Sequence, residues 1–226
     1  MTDARIDCDV QLADRRVRRP LSGRLYDRST KRVIDILLCL VILPVILPLI
    51  ALLYVLARCD GGPGFFGHRR IGRNGETFRC WKIRTMVPDA EDRLLELLRT
   101  DPAARQMWEA EHKLHDDPRI TAIGGLLRRT SLDELPQIWN VLRGEMSLVG
   151  PRPITETELE RYGHRQSVYL ALRPGVTGLW QVSGRNDLSY QERVALDTRY
   201  FVNLSLRRDL AILARTTGAV LGRTGK

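Results

Sequence analysis

The chain has 226 residues, a formal net charge of +9, 43% hydrophobic and 28% charged residues. That size and balance exclude wholesale disorder and a string of several domains, and the positive charge favours phosphate-bearing partners. The four cysteines form no CxxC pair, so the sequence supports neither a disulfide framework nor a zinc cluster and fits a reducing compartment.

Residues 1–24 read as a basic, mobile arm. From Ile36 to Ala57 no residue is charged. As a helix this stretch would span about 33 Å, close to the hydrocarbon thickness of a bilayer. It starts too late and runs too long for a signal peptide. Pro44 and Pro48 interrupt it, each removing a backbone hydrogen bond. Basic residues crowd both flanks: Arg15, Arg16, Arg18, Arg19, Arg24, Arg28, Lys31 and Arg32 before it, Arg58, Arg69, Arg70, Arg73, Arg79, Lys82 and Arg84 after it. Both ends then favour the same, cytoplasmic side. A helix that enters, turns at proline and returns satisfies both; a plain span is the alternative.

Beyond a Gly-Pro-Gly turn, Asn74-Gly75 between β-prone runs predicts a hairpin. On its second strand Phe78, Cys80, Lys82 and Arg84 share a face, and Lys82 with Arg84 forms a candidate diphosphate clamp. Helices are predicted over 89–99, with Asp89 as cap, from Asp101-Pro102 to about Leu114, over Ile120–Arg129, and from about Leu206. Residues 144–153 and 173–186 read as irregular. The fold class is helix-rich α+β without a Rossmann-like sheet.

Three stretches could carry chemistry. In Thr130–Pro136, Ser131 and Glu134 match a capping box, while Asp133 and Glu134 form a carboxylate pair beside Arg128 and Arg129 that could bind magnesium or attack phosphorus. Both readings can hold together. In Ser147–Pro153, prolines on either side of Arg152 fix it as a phosphate fork. In Arg173–Asn186, glycines permit close approach, and Trp180, Gln181 and Arg185 can stack on or hydrogen-bond a base. The histidines lack metal or triad spacing. The charge would allow nucleic acid, but no such motif is present.

Together, KRVIDILLCL, the proline-interrupted segment, FRCWKIRTM, DPRITAIGGLLRRTSLDELPQIWNVLRGEMSLVGPRP and LRPGVTGLWQVSGRNDLSYQERVALDTRYFVN resemble the bacterial sugar transferases, the small monotopic phosphoglycosyl transferases, and most of all their exopolysaccharide-initiating branch. The resemblance covers roughly residues 25–222. It implies a monotopic membrane enzyme with an N-terminal re-entrant helix (25–60), a cytoplasmic catalytic domain (61–226) and interfacial amphipathic helices. It implies transfer of a sugar 1-phosphate from a UDP-sugar to polyprenyl (undecaprenyl) phosphate with release of UMP, dependent on Mg2+, at the cytoplasmic face of the bacterial inner membrane. Asp133 would be the nucleophile and a metal ligand. Glu134 would position or deprotonate the acceptor. Lys82, Arg84, Arg128, Arg152 and Arg185 fall on the family's basic positions and would hold phosphates; Gln181, read from its own stretch, joins them as a substrate-binding residue, as does Asp209, which matches a functional acid of the family, a match that is weaker at Asp197. Pro48, with Pro44, would set the membrane bend, although Leu47 replaces the serine usual before it. The chain shows no extra transmembrane helices, so no built-in regulatory domain is expected. A homodimer and downstream glycosyltransferases stay open as partners, and the sugar is not legible. The competing reading is a non-catalytic membrane scaffold that binds anionic lipid or assembly proteins, which would have no use for Asp133.

Overall fold

The computed structural model of the chain describes residues 21–59, 61–111, 114, 117–184 and 188–221. The expected arm lies outside them except for its last residues, which are already helical from Leu21. A turn at Leu21–Leu25 and a π-helical turn at Tyr26–Thr30 lead without a break into α1, Lys31–Arg58.

α1 corrects the expectation of a proline-broken helix: helical geometry continues through both Pro44 and Pro48. Each proline leaves one carbonyl, at Leu40 and at Pro44, without its usual donor. The two losses lie four residues apart, on one side of the helix. The other sides keep their hydrogen bonds, which is enough to hold the helix together. Its buried residues, Lys31, Asp35, Cys39, Ile50, Leu53 and Ala57, form one stripe, while Leu40, Val41, Val45 and Leu47 between them are exposed. Only 17% of its most apolar window is buried, far from the burial of a core helix.

Both ends of α1 grip the same body. Near its start, Asp35 accepts hydrogen bonds from Ser147 Oγ at 2.7 Å and Leu148 N at 3.1 Å. Arg32 donates to the carbonyls of Val141 and of Leu142. At its far end, Arg84 Nη2 donates to the Ala57 carbonyl at 2.6 Å.

The hairpin forms as the sequence predicts. β1 (Phe65–Ile71) and β2 (Thr77–Ile83) pair antiparallel, with Phe65 opposite Ile83 and Ile71 opposite Thr77. Asn74 (φ 60°) and Gly75 (φ 85°) take the left-handed conformations that the turn requires. Two helices follow, α2 (Ala90–Thr100) and α3 (Pro102–Glu111). Asp101 caps α3, its Oδ1 accepting from Ala103 N and Ala104 N. Asp89 does not cap α2 with its side chain and pairs with Arg93 instead. α4 (Ala122–Thr130) begins at Thr121, whose hydroxyl accepts from Gly124 N at 2.9 Å.

After α5 (Gln137–Arg143) comes a second correction. The two glycine- and proline-rich stretches are not wholly irregular. They pair as a short parallel ladder, β3 (Ser147–Val149) with β4 (Gly175–Thr177). Glycine makes this possible: a Cβ on Gly175 would lie 2.1 Å from the Gly150 nitrogen. Between the two strands run the short α6 (Glu156–Glu160) and α7 (Gln166–Leu170); after them come α8 (Tyr190–Val202) and the expected terminal helix α9 (Leu206–Leu221).

One apolar core joins α1, the hairpin, α4 and α5 around Cys39, Leu53, Phe78, Ile83, Leu127 and Val141. A second joins the N-terminal lead to β3, α8 and α9 around Tyr26, Val149, Tyr200 and Ile212. The turn between α4 and α5 sits on the first core and opens toward the β3–β4 ladder.

Candidate active site

That turn is Leu132–Glu134. α4 ends at Ser131, which takes a left-handed conformation (φ 57°). Ser131 therefore closes one helix rather than opening the next, and its side chain caps nothing. This overturns the capping-box reading. Glu134 is free of that duty and turns to Lys82, whose Nζ donates to its Oε1 at 2.6 Å.

Three elements bring cations to the carboxylate pair. Lys82 comes from β2 and also lies 3.7 Å from Asp133 Oδ2. Arg152, between its two prolines, places Nη1 3.6 Å from Glu134 Oε1. Arg128, from the last turn of α4, is fixed by a bond from its Nε to Thr85 Oγ1 at 2.9 Å, and its charge favours the ionised form of Asp133. Beside Glu134 lies a narrow cleft lined by Arg70, Lys82, Glu134, Gln137, Arg152 and Gln181 among others. Gln181 donates to the Val176 carbonyl at 3.2 Å.

The two carboxylates differ sharply. Asp133 is 6% exposed and accepts no hydrogen bond among the described residues. Burial pushes its carboxyl above the ordinary value, and the pull of Lys82, Arg128 and Arg152 does not fully offset this. Burial acts on Glu134 as well, but Arg152 and Lys82, with the Lys82 hydrogen bond, outweigh it and hold that carboxyl below its ordinary value. The result is a buried carboxylate with no hydrogen-bond donor among the described residues beside one that Lys82 and Arg152 hold by its Oε1, an asymmetry of the kind that separates a reacting acid from a supporting one.

Other residues chosen from the sequence lie elsewhere. Arg84 does not form a fork with Lys82. β2 ends at Ile83, so the two-residue alternation stops there, and the Arg84 guanidinium turns to the carbonyls of Pro63, Met86 and Ala57. Asp209 is buried at the root of α1, ion-paired with Lys31 at 2.5 Å and bonded by Tyr26 and Tyr200. Asp197 accepts from Tyr162 at 2.8 Å inside a third core, where burial pushes its carboxyl up to about 7. Arg185 lies outside the described residues.

Arg70 and Gln137 escaped the sequence reading. Arg70 had a signal: in the hairpin register it stands opposite Phe78, on the face that carries Lys82. Gln137 had none beyond its closeness to the pair.

No three His, Cys, Asp or Glu side chains gather into a metal centre among the described residues. A magnesium ion does not need one, since it takes one or two carboxylates and fills its shell from phosphate and water. The bare oxygens of Asp133 fit that role.

Comparison with known proteins assigns the chain a family. The family described as bacterial sugar transferase matches residues 26–223. The chain is 53% identical over 198 residues to a UDP-galactose-lipid carrier transferase of Erwinia amylovora, covering 88% of this chain and 42% of that protein. It is 52% identical over 198 residues to an undecaprenyl-phosphate galactose phosphotransferase of Salmonella typhimurium, again 88% and 42%. Over 203 residues it is 50% identical to the exopolysaccharide production protein ExoY of Sinorhizobium fredii, covering 89% of this chain and 88% of that one. It thus spans less than half the length of the first two and most of the third.

Proposed function

The chain belongs to the bacterial sugar transferase family, and on that footing we propose that it transfers a sugar 1-phosphate from a UDP-sugar to polyprenyl phosphate and releases UMP, the first membrane step of a surface glycan. The observation that carries this is Asp133: buried, without a hydrogen-bond donor among the described residues, 3.7 Å from Lys82 and next in the chain to Glu134, which with Lys82 and Arg152 lines a cation-bearing cleft.

Asp133 attacks the phosphorus that bears the sugar. A bond forms from its carboxylate oxygen to that phosphorus, the bridge to the uridylyl phosphate breaks, and UMP leaves. An oxygen of the lipid phosphate then attacks the same phosphorus and the aspartyl bond breaks, which restores the carboxylate. Lys82, Arg128 and Arg152 neutralise the phosphates from three sides. Glu134, with its carboxyl held low by Arg152 and Lys82, is a poor base and acts by positioning Lys82. Bound magnesium would supply further neutralisation of the diphosphate, with Asp133 as the residue placed to hold it. Two of the relatives carry galactose in their names, which makes UDP-galactose the first donor to try.

The membrane disposition belongs to the same proposal. A spanning helix would set its ends about 30 Å apart, on opposite sides of the bilayer. Here Asp35 and Ala57, near opposite ends of α1, are both held by one polar body. That supports a re-entrant α1 with both basic flanks on the cytoplasmic face of the inner membrane. Exposed Leu95, Ile123, Leu126 and Trp139 on α2, α4 and α5 suit contact with the interface.

The test is intact-mass spectrometry of the detergent-solubilised chain, incubated with magnesium and UDP-sugars without lipid acceptor. A phosphosugar adduct that is absent in Asp133→Asn is expected. If no adduct forms, and polyprenyl phosphate also elicits no UMP, the proposal fails.

A further inference from the structure

The hairpin carries a feature that the transfer chemistry does not use. Its register sets Arg69 directly opposite Arg79, and both are exposed. Like charges opposed on one sheet face repel each other. The other hairpin arginines find acids: Arg70 pairs with Glu158 at 3.0 Å and Arg73 with Asp27 at 3.1 Å. Among the described residues, no acid, hydrogen bond or aromatic ring meets the guanidinium of Arg69 or Arg79.

The rest of that face gives the pair a context. Along it, Phe65, Gly67 and Arg69 stand opposite Ile83, Trp81 and Arg79. The Trp81 ring lies against Gly67, where a Cβ would come within 3.0 Å of it. The face therefore runs from Phe65, 39% exposed at the rim of the core that holds Ile83 and packed on Tyr54, past an indole, to two arginines. A bilayer presents its own layers in the same order: hydrocarbon, interface, phosphate. Arg69 lies about 13 Å along the strand from Phe65, a distance that strand tilt and the long arginine stems bring within the headgroup layer.

The backbone beneath is fixed. Asn140 donates to the Arg79 carbonyl at 2.7 Å and accepts from Trp81 N at 3.0 Å. Arg69, Thr77, Phe78 and Arg79 line an open depression of about 330 Å3, to which Thr77 adds a hydroxyl.

We propose that Arg69 and Arg79 form a two-guanidinium site for the phosphodiester headgroup of an anionic phospholipid. Two planar forks across one rung can hold a tetrahedral phosphate from both sides, and its charge removes their mutual repulsion. The site rests on the membrane reading above and is independent of Asp133.

The experiment measures binding of a fluorescent short-chain phosphatidylglycerol to the full chain in neutral detergent. A phosphatidylcholine analogue and glycerol 3-phosphate serve as comparison ligands. The parent is expected to prefer phosphatidylglycerol. The R69Q/R79Q variant is expected to bind it tenfold or more weakly, and R69K/R79K to retain part of the affinity. Thermal midpoints of both variants should equal or exceed the parent's, since opposed like charges have been relieved or left as they were. Undiminished binding by R69Q/R79Q would overturn the proposal. So would equal affinity for glycerol 3-phosphate, which marks a soluble-anion site, or a lowered midpoint in R69Q/R79Q, which marks a structural pair. A chain that stays soluble without detergent would instead strike at the membrane reading.

Discussion

Asp133 and Asp209 are buried to nearly the same degree, 6% and 4% exposed, and their surroundings are opposite. Asp209 is saturated: Tyr26 and Lys31 donate to its Oδ2, and Tyr200 to its Oδ1. Asp133 receives no hydrogen bond among the described residues. Burial alone therefore does not tell a structural acid from a reactive one. Asp133 keeps free acceptor capacity beside Glu134 and the cleft that Glu134 lines, whereas Asp209 has a donor on each oxygen; an empty acceptor alone is not the mark, since Asp197 Oδ1 is also buried without a partner among the described residues.

The strongest way to break this contrast is Asp133→Asn. Turnover, read as UMP release, should fall by about 10³-fold or more. Stability should rise at neutral pH, because a folded-state carboxyl held above its ordinary value penalises the charged form. That gain should vanish as the pH drops and the parent's own aspartate protonates. Persisting turnover would remove Asp133 from the chemistry.

Next in size is Asp209→Ala, which leaves Lys31 buried without its partner. A loss of about 3–5 kcal/mol is expected, visible as a lower thermal midpoint in detergent. Replacing both partners, Lys31→Met with Asp209→Leu, should recover much of it. An unmoved midpoint in the single variant would contradict the structural role.

Glu134→Gln should do less, lowering stability by about 1–2 kcal/mol at neutral pH through the lost charged hydrogen bond. The sign follows from a carboxyl held below its ordinary value of 4.5. Its contribution is full above that value and disappears as the pH falls through the lower, folded-state value. Midpoints of variant and parent should converge in acid; a constant gap would mean that packing, not charge, was lost.

The finest test uses Lys82→Met. Lys82 is the leading charge that draws the Asp133 carboxyl down. Its removal should move the acid limb of the turnover–pH profile to higher pH. A stationary limb would assign that limb to another group.

Local signals with a complete mechanism were legible in the sequence. Asn74-Gly75 made its hairpin, and Asp101-Pro102 began its helix. The capping box shows where such signals mislead. It was read at Ser131, which instead ends α4, and overlooked at Thr155 with Glu158 and at Ser189 with Glu192, where both halves form. The difference lies in what comes before: Ser131 follows a helix, whereas Ser189 opens one from extended backbone. Lys82 and Arg84 shared a face only as long as the strand lasted. The β3–β4 ladder stayed hidden because its signal is close backbone approach between Gly150 and Gly175, a property of two distant segments together. The Asp133–Glu134 pair was visible as two adjacent acids, but the asymmetry between them depends on Lys82 and Arg152 arriving from other parts of the chain.

Arg32 has a wider consequence. From the first turn of α1 it holds the carbonyls of Val141 and Leu142, at the end of the helix that begins just after Glu134. The apolar segment is thus no detachable tether for a freestanding catalytic head. Trimming it away would strip Cys39, Ile50 and Leu53 from the core that packs against Leu132 and Leu135 on either side of Asp133 and Glu134.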